Sequence, residues 1–157
     1  MTKLIARRTG LIAMGALMLA PLANLVQAAN GKPRVEVWKD PDCGCCKDWV
    51  AHLEKSGFEV RVNESGNEAV RRKLGIPAAL GSCHTGLVEG YALEGHVPAR
   101  EIKRLLKEKP KAIGLAVPGM PVGSPGMDGA IYGGRKDAFD VLLVSAGAAP
   151  TVYQAYR

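Results

Sequence analysis

The amino-acid sequence predicts an α/β domain in which helices flank a mixed β-sheet. Apolar residues alternate with polar ones at residues 34–38 and 58–63, as in half-buried strands. Apolar residues at helical spacing follow each of these segments, at residues 46–56 and 68–74. A Cys-x-x-Cys frame lies between the first strand and the first helix. The predicted order of elements therefore begins strand, helix, strand, helix.

Short signals mark the ends of these two helices. Gly57 follows the first helix and suits the left-handed conformation that often ends a helix. Residues 65–68 read Ser-Gly-Asn-Glu, the form of a capping box, which predicts that Ser65 caps the second helix. Gly75 is expected to end that helix.

The following segment predicts a β-hairpin and a third helix. The two strands of the hairpin are expected at residues 78–83 and 87–93, with the turn at residues 84–86. Pro98 is expected in the first turn of the third helix, which ends at Pro110.

The resulting order of elements resembles that of a thioredoxin-like domain. The resemblance extends to the Cys-x-x-Cys frame after the first strand and to Gly-Ile-Pro before the third. It implies that the peptide bond between Ile76 and Pro77 is cis and faces the dithiol. It also implies that the next strand brings Cys83 into the neighbourhood of the Cys-x-x-Cys turn.

A loop rich in glycine, proline and methionine follows the third helix and contains Met120 and Met127. Loops of this length are usually functional or mobile. Residues 139–144 and 151–156 predict two C-terminal strands that pair with each other. The sequence shows neither a repeat nor a second domain, so residues 29–157 are expected to form a single thioredoxin-like metal-binding domain.

Residues 1–28 predict a secretory signal peptide. Three basic residues precede a nearly continuous apolar run at residues 11–25, and small residues follow it. A transmembrane anchor is the alternative, but Pro21 and Asn24 interrupt the run, which is shorter than the ~20 residues that span a bilayer. Cleavage near Ala28 therefore predicts a periplasmic protein without a stable membrane anchor.

The charge of the remaining chain argues against a nucleic-acid partner. Removing residues 1–28 takes away three of the 21 basic residues and none of the 15 acidic ones, which leaves a net charge of +3. This charge is too small to predict a nucleic-acid-binding protein.

The length of the chain after residue 28 suits one domain with its own core, so disulfides are not required for stability as they are in miniature secreted proteins.

The four cysteines allow three interpretations. Cys43, Cys45 and Cys46 lie within four residues, and Cys83 is the other cysteine of the sequence. An inert disulfide framework suits this crowding poorly, because at most one of the three neighbouring thiols can pair with Cys83. A thiol-disulfide exchange site needs only Cys43 and Cys46, whereas a soft-metal site gains from the sulfur of Cys45. Soft-metal ligation by all four is the favoured interpretation.

Histidines and methionines extend this set of ligands. His84 directly follows the fourth cysteine and is either a nitrogen ligand or proton carrier, or a solvated turn residue. His96 is either a site residue or a residue at the start of the third helix, and His52 is expected on the surface. Met120 and Met127 lie in a loop with little apolar bulk, and thioethers bind Cu(I).

Five short segments of the chain together match the pattern of a known family. They are Trp-Lys-Asp-Pro at residues 38–41, Cys-Gly-Cys-Cys at 43–46, Ser-Cys-His-Thr at 82–85, Glu-Gly-His-Val-Pro at 94–98, and the glycine- and methionine-rich residues 119–127. This pattern resembles the CopG-type copper-resistance proteins, a secreted family long described as a domain of unknown function. The resemblance covers nearly the whole chain after the signal peptide.

The family implies a thioredoxin-like periplasmic protein that binds copper through its cysteines and interconverts Cu(I) and Cu(II) in copper detoxification. Because thiolates can bridge ions, we expect Cu(I), with several ions per chain. The predicted copper ligands are Cys43, Cys45, Cys46, Cys83, His84, Met120 and Met127. The predicted redox residues are Cys43, Cys46 and His84.

The expected partners are copper ions and other periplasmic copper-handling proteins. A copper oxidoreductase is the enzymatic activity that this chemistry would support. Two alternatives remain open from the sequence: a periplasmic thiol-disulfide oxidoreductase on the same scaffold, and a copper carrier without redox turnover.

Overall fold

The computed structural model describes residues 31–157, and the predicted signal peptide lies outside this part of the chain. The described residues form a seven-stranded mixed sheet with helices, which confirms the predicted α/β class. The strands are β1 (Arg34–Lys39), β2 (Glu59–Asn63), β3 (His84–Val88), β4 (Tyr91–Glu94), β5 (Gly114–Ala116), β6 (Phe139–Val144) and β7 (Thr151–Tyr156). The helices are α1 (Gly44–Lys55), α2 (Glu68–Lys73) and α3 (Ala99–Glu108), with 3-10 helices at Ala78–Leu80 and Ala130–Tyr132.

The strands lie across the sheet in the order β2-β1-β3-β4-β5-β6-β7. β1 pairs parallel with β2, and β4 pairs parallel with β5, whereas the other neighbouring pairs are antiparallel. The two C-terminal strands, β6 and β7, pair with each other as predicted. The thioredoxin-like assignment itself stays a prediction. Across residues 31–157, no helix has both the length and the apolar character needed to cross a membrane.

The core joins the sheet to α1 and α3. Trp49 and Leu53 are four residues apart, so they lie on one face of α1, and both are fully buried. Ile102 and Leu105 of α3 belong to the same buried cluster. The Trp49 indole N–H donates a hydrogen bond of 2.9 Å to the carbonyl of Val97, just before α3. This bond fixes the start of α3 relative to α1.

The hairpin of β3 and β4 differs from the predicted one. Its turn lies at Glu89 and Gly90, whose φ angles are 45° and 87°, and not at residues 84–86. Two central residues with positive φ form the tight turn that matches the twist of paired strands. The predicted turn was wrong because Gly86 is a strand residue, and a Cβ there would lie 3.4 Å from the Cβ of Leu93 on β4. The glycine therefore serves close strand packing rather than a turn.

The start of α2 also differs from the prediction. The helix follows Asn67 instead of being capped by Ser65, and no side chain caps its N-terminus. The Asn67 amide instead donates to the Ser82 carbonyl at 3.1 Å and to the Thr85 hydroxyl at 3.2 Å. This side chain is used to tie α2 to the beginning of β3.

The peptide bond before Pro77 is trans, because residues 31–157 contain no cis peptide bond. The implied cis bond is therefore wrong for this structure. Pro77 has φ −59° and ψ 140° and precedes the 3-10 helix Ala78–Leu80. The chain thus turns after the proline, whereas the prediction had it continue into a strand.

The predicted end of α1 is confirmed, because Gly57 follows the helix with a φ angle of 92°. Pro98 was expected in the first turn of α3 but lies one residue before it, in an extended conformation. His52, in contrast, is half-buried, which corrects its prediction as a surface residue. Its Nε2 accepts a hydrogen bond of 3.1 Å from the backbone N–H of Ala99, where α3 begins.

Candidate metal centre

The cysteine cluster forms where α1 meets β3. α1 begins directly after Cys43, so its first turn carries the other two cysteines of the motif. β3 pairs antiparallel with β1 in a register that sets His84 opposite Lys39. Cys83, the residue before His84, is therefore placed beside the turn that connects β1 to α1.

Four sulfur atoms lie close together at this place. Cys43 and Cys46 form a disulfide with Cα atoms 5.4 Å apart, whereas Cys45 and Cys83 are free thiols. The Sγ of Cys45 lies 3.7 Å from that of Cys43 and 3.8 Å from that of Cys83. All four Sγ atoms are within 4.8 Å of one another, so one cluster could hold a metal ion. Because the thiolate is the metal ligand, all four can act once the disulfide is reduced.

Two histidines contact the sulfur of Cys83. His84 Nδ1 lies 3.3 Å and His96 Nε2 lies 3.2 Å from Cys83 Sγ, and both rings are fully buried. The Nδ1–H of His96 donates to the carbonyl of Pro125 at 2.8 Å, which leaves a lone pair on Nε2 toward the sulfur. The ligand atoms of Cys83, His84 and His96 lie within 4.8 Å of one another. One sulfur and two nitrogens are donors that suit either oxidation state of copper.

Burial keeps these three side chains neutral. It raises the pKa of Cys83 to about 12, and the neighbouring Cys45 adds to the rise. It lowers the pKa of His84 to about 3, with a further contribution from His96, whose own pKa burial also lowers. In the part of the chain that the structure describes, His84 Nε2 is a buried atom without a hydrogen-bond partner. The imidazoles are thus in the form that binds metals, while a metal ion must displace the proton of Cys83.

The glycine- and methionine-rich loop covers one side of the cluster. The Sδ of Met120 lies 4.0 Å from the Sγ of Cys45, although the Met120 side chain is 52% exposed. The Ser82 hydroxyl donates to the carbonyl of Gly119. Gly126 packs against α1 so closely that a Cβ would lie 2.7 Å from the Cys45 carbonyl oxygen. The loop therefore approaches the cluster through both its backbone and one thioether.

The other loop methionine has a different environment. Met127 is buried, and its Sδ accepts a hydrogen bond of 3.3 Å from the Tyr132 hydroxyl. The structure thus brings Met120 to the cysteines and seats Met127 against Tyr132. The assignment of Met127 as a copper ligand stays a prediction.

A buried carboxylate supports the segment that carries Cys83. Glu94 of β4 is fully buried and accepts hydrogen bonds from the Ser82 N–H at 2.7 Å, the Arg71 Nε–H at 2.9 Å and the Thr85 hydroxyl at 2.6 Å. Burial raises the pKa of Glu94, and these hydrogen bonds oppose the rise. The network fixes the backbone immediately before Cys83.

A polar cleft of about 530 Å³ opens beside this segment. The cleft is lined by Ser82 and Cys83, by Asp40 in the turn between β1 and α1, and by Arg71 and Arg72 of α2. Side chains of both charge signs therefore surround the approach to the Cys83 thiol.

Sequence patterns did not identify the buried charges around the cluster. Lys39 is 2% exposed and donates to the carbonyls of Asp40 and Pro41 at 2.8 and 3.2 Å, which shapes the turn before Cys43. Glu94 accepts a hydrogen bond from the backbone N–H of Ser82, in the segment just before Cys83. A charged residue within an apolar strand, as at Glu94, is the signal that could have indicated this role. The sequence left open whether His96 is a site residue or a residue at the start of the third helix. Its contact with Cys83 places it at the cysteine cluster.

Comparisons with known proteins show which sequences and structures this chain is similar to. A family model described as "Protein of unknown function, DUF411" matches residues 80–127. No curated protein matches the chain. A solved structure titled "Copper resistance protein copG- Form 2" is 45% identical, with a TM-score of 0.74, and the match covers 80% of this chain and 99% of that chain.

A second solved structure, titled "Copper resistance protein copG- Form 1", is also 45% identical. Its TM-score is 0.73, and the match covers 80% of this chain and 98% of that chain. Nearly the whole length of both structures is therefore aligned with this chain. The chain belongs to the family of the copper resistance protein CopG.

Proposed function

We propose that this chain is a periplasmic copper protein that binds Cu(I) through Cys43, Cys45, Cys46 and Cys83 and interconverts Cu(I) and Cu(II). The observation that carries the proposal is the closeness of the four sulfur atoms, all within 4.8 Å of one another. The titles of the two similar structures support copper as the ion. The periplasmic location follows from the predicted signal peptide at residues 1–28.

The donor set provides for both oxidation states. Cu(I) is a soft ion that favours thiolates at low coordination number, whereas Cu(II) prefers nitrogen and oxygen. The imidazoles of His84 and His96 beside Cys83 supply that nitrogen. The thiols also supply electrons, because two thiolates that form one disulfide release two electrons, which reduce two Cu(II) ions to two Cu(I) ions. Cys43 and Cys46 are the pair with the geometry for that disulfide.

The first prediction concerns stoichiometry. The fully reduced protein is expected to bind more than one Cu(I) per chain, because bridging thiolates let four sulfurs serve several ions. Anaerobic titration with Cu(I) against a competing chelator measures this. A sharp end point at a single ion, or preferential retention of zinc, would contradict the expectation.

The second prediction concerns redox turnover. Mixing the reduced, metal-free protein with Cu(II) should yield Cu(I) with a matching loss of free thiols, one disulfide for every two ions. His84→Ala should slow this reduction more than it weakens Cu(I) binding, because it removes a nitrogen donor and leaves the four sulfurs. His52→Gln is the matched control and should leave the reduction rate unchanged, because the His52 imidazole accepts a hydrogen bond from the Ala99 N–H at the start of α3. If an unstructured peptide with the same cysteines reduced Cu(II) equally fast, a carrier without redox turnover would replace the proposal.

A thiol-disulfide oxidoreductase is the second candidate, and the Cys43–Cys46 disulfide at the start of α1 favours it. Cys45→Ser distinguishes the two functions, because dithiol chemistry does not need Cys45. The copper proposal predicts that this variant binds copper much more weakly. Rapid insulin reduction that survives Cys45→Ser, with copper affinity unchanged, would favour the second candidate instead.

A further inference from the structure

The four cysteines form a continuous row of sulfur contacts rather than two separate pairs. Cys46 is bonded to Cys43, Cys43 Sγ lies 3.7 Å from Cys45 Sγ, and Cys45 Sγ lies 3.8 Å from Cys83 Sγ. The disulfide thus occupies one end of the row, and two free thiols occupy the other. A free thiol already in contact with a disulfide sulfur is the arrangement that thiol-disulfide exchange requires.

We propose that the disulfide migrates within the chain, from Cys43–Cys46 to Cys45–Cys83, with Cys45 as the relay. This activity belongs to the metal-free protein and goes beyond the copper chemistry proposed above. It is also distinct from exchange with an external substrate, because both the donor and the acceptor of the disulfide are residues of one chain.

The migration takes two balanced steps. In the first step, the Cys45 thiolate attacks the Sγ of Cys43, the Cys43–Cys46 bond breaks, and Cys46 leaves as a thiolate that takes up the proton lost by Cys45. In the second step, Cys83 attacks the Sγ of Cys45, the Cys43–Cys45 bond breaks, and Cys43 takes up the proton lost by Cys83. One disulfide and two thiols are present before and after, so neither an oxidant nor a reductant is consumed.

The two isomers present different thiols to a ligand. Before migration the free thiols are Cys45 and Cys83, 3.8 Å apart and next to the two buried histidines. After migration they are Cys43 and Cys46, with Cα atoms 5.4 Å apart at the start of α1. A chain that carries one disulfide could therefore offer a pair of thiols in either of two surroundings.

The sequence provides a direct assay for the two isomers. Trypsin cleaves after Lys39, Lys47, Lys73 and Arg100, so three cysteines fall in the peptide of residues 40–47 and Cys83 falls in that of residues 74–100. A Cys43–Cys46 disulfide stays within the first peptide. A Cys45–Cys83 disulfide joins the two peptides, and fragmentation of the joined peptides in the mass spectrometer identifies which cysteine of residues 40–47 is bonded to Cys83.

The experiment starts with fully reduced protein in a metal chelator, oxidised to an average of one disulfide per chain. Samples held at mildly alkaline pH, where more thiolate is present, are acidified over time, alkylated, digested and analysed. We expect the joined peptides to accumulate while the disulfide within residues 40–47 falls and the total disulfide content stays constant. The rate should not depend on protein concentration, because the reaction is intramolecular.

Cys45→Ser is the test of the relay. Direct attack of Cys83 on the Cys43–Cys46 disulfide remains available in this variant. We expect the joined peptides to form at a rate reduced by about tenfold or more. Circular dichroism checks that the variant folds, and the concentration dependence of the unmodified protein tests the proposal if it does not. A disulfide that stays within residues 40–47, joined peptides that appear only as total thiol falls, or an unchanged rate in Cys45→Ser would overturn the proposal. Because copper is absent throughout, none of these outcomes bears on copper binding.

Discussion

His52 shows how one side chain can connect two helices. The first N–H groups of a helix lack partners within the helix, and Pro98 brings no side-chain cap to α3. The His52 imidazole on α1 supplies the missing acceptor to the N–H of Ala99. Burial lowers the pKa of His52, Asp128 acts in the opposite direction, and Lys55 lowers the pKa further.

This contact predicts a pH-dependent contribution to the free energy of unfolding. The folded-state pKa of His52 lies below the ordinary value of 6.5, so the unfolded chain binds the proton first as pH falls. The contribution of His52 is therefore complete above the unfolded pKa and is lost as pH falls below it. His52→Gln retains an acceptor that does not titrate, so its urea midpoint should fall less between neutral and mildly acidic pH. Parallel pH profiles for the two proteins would contradict this role.

The loop between β5 and β6 packs on α1 as closely as a secondary-structure element does. Gly126 has a φ angle of 86°, and a Cβ there would lie 2.7 Å from the Cys45 carbonyl oxygen and 2.8 Å from the Trp49 nitrogen. These neighbours are backbone atoms, which cannot move aside at little cost. The position thus requires glycine for both its conformation and its space.

Gly126→Ala is therefore expected to destabilise the protein by about 1–3 kcal/mol, because it combines a strained φ with a backbone clash. The loop should also move away from Cys45, which would weaken Cu(I) binding. Gly129→Ala is the matched control, since Gly129 has a φ angle of −67° and no atom within 4 Å of its added Cβ. Urea denaturation and Cu(I) competition titrations measure both effects. Equal stability of the two variants would show that the loop adapts freely.

Periodicity predicted the helices and most strands well, because burial on one face leaves a regular pattern. The predicted hairpin turn is displaced because Gly86 is a strand residue, whose small size allows Leu93 to pack beside it. The capping prediction failed because Asn67 found better partners far away in sequence. Both errors arose where tertiary contacts, which no local pattern records, decided the role of a residue.

At the scale of the whole molecule, the site depends on contacts between distant segments. Three of the four cysteines could be predicted to cluster because they lie within four residues, whereas the approach of Cys83 to them was implied only by the thioredoxin-like resemblance. The tautomer of His96 could not be predicted, because its hydrogen-bond partner, the Pro125 carbonyl, is 29 residues away in a loop without periodicity. The buried network around Glu94 was equally hidden, since it joins β4, α2 and the start of β3.

Glu94→Gln tests this network. The change preserves shape but leaves Arg71, which is 15% exposed, without its carboxylate partner. Since breaking a buried ion pair is costly, a loss of about 3 kcal/mol in the free energy of unfolding is expected. Glu108→Gln, which alters an exposed pair with Arg104, should change stability little. Chemical denaturation of both variants measures the difference, and equal stabilities would show that the negative charge of Glu94 contributes little to the network.

The spacing of the cysteines also sets an order of events as the chain folds. Cys43 and Cys46 are three residues apart, whereas Cys45 and Cys83 are separated by 38 residues. Because the entropic cost of closing a loop grows with its length, the short pair meets readily before any fold exists. The pairing of β3 with β1 in the sheet brings the long pair together. A chain that enters an oxidising compartment therefore closes its local disulfide first, and a Cys45–Cys83 link would mark a molecule that has finished folding.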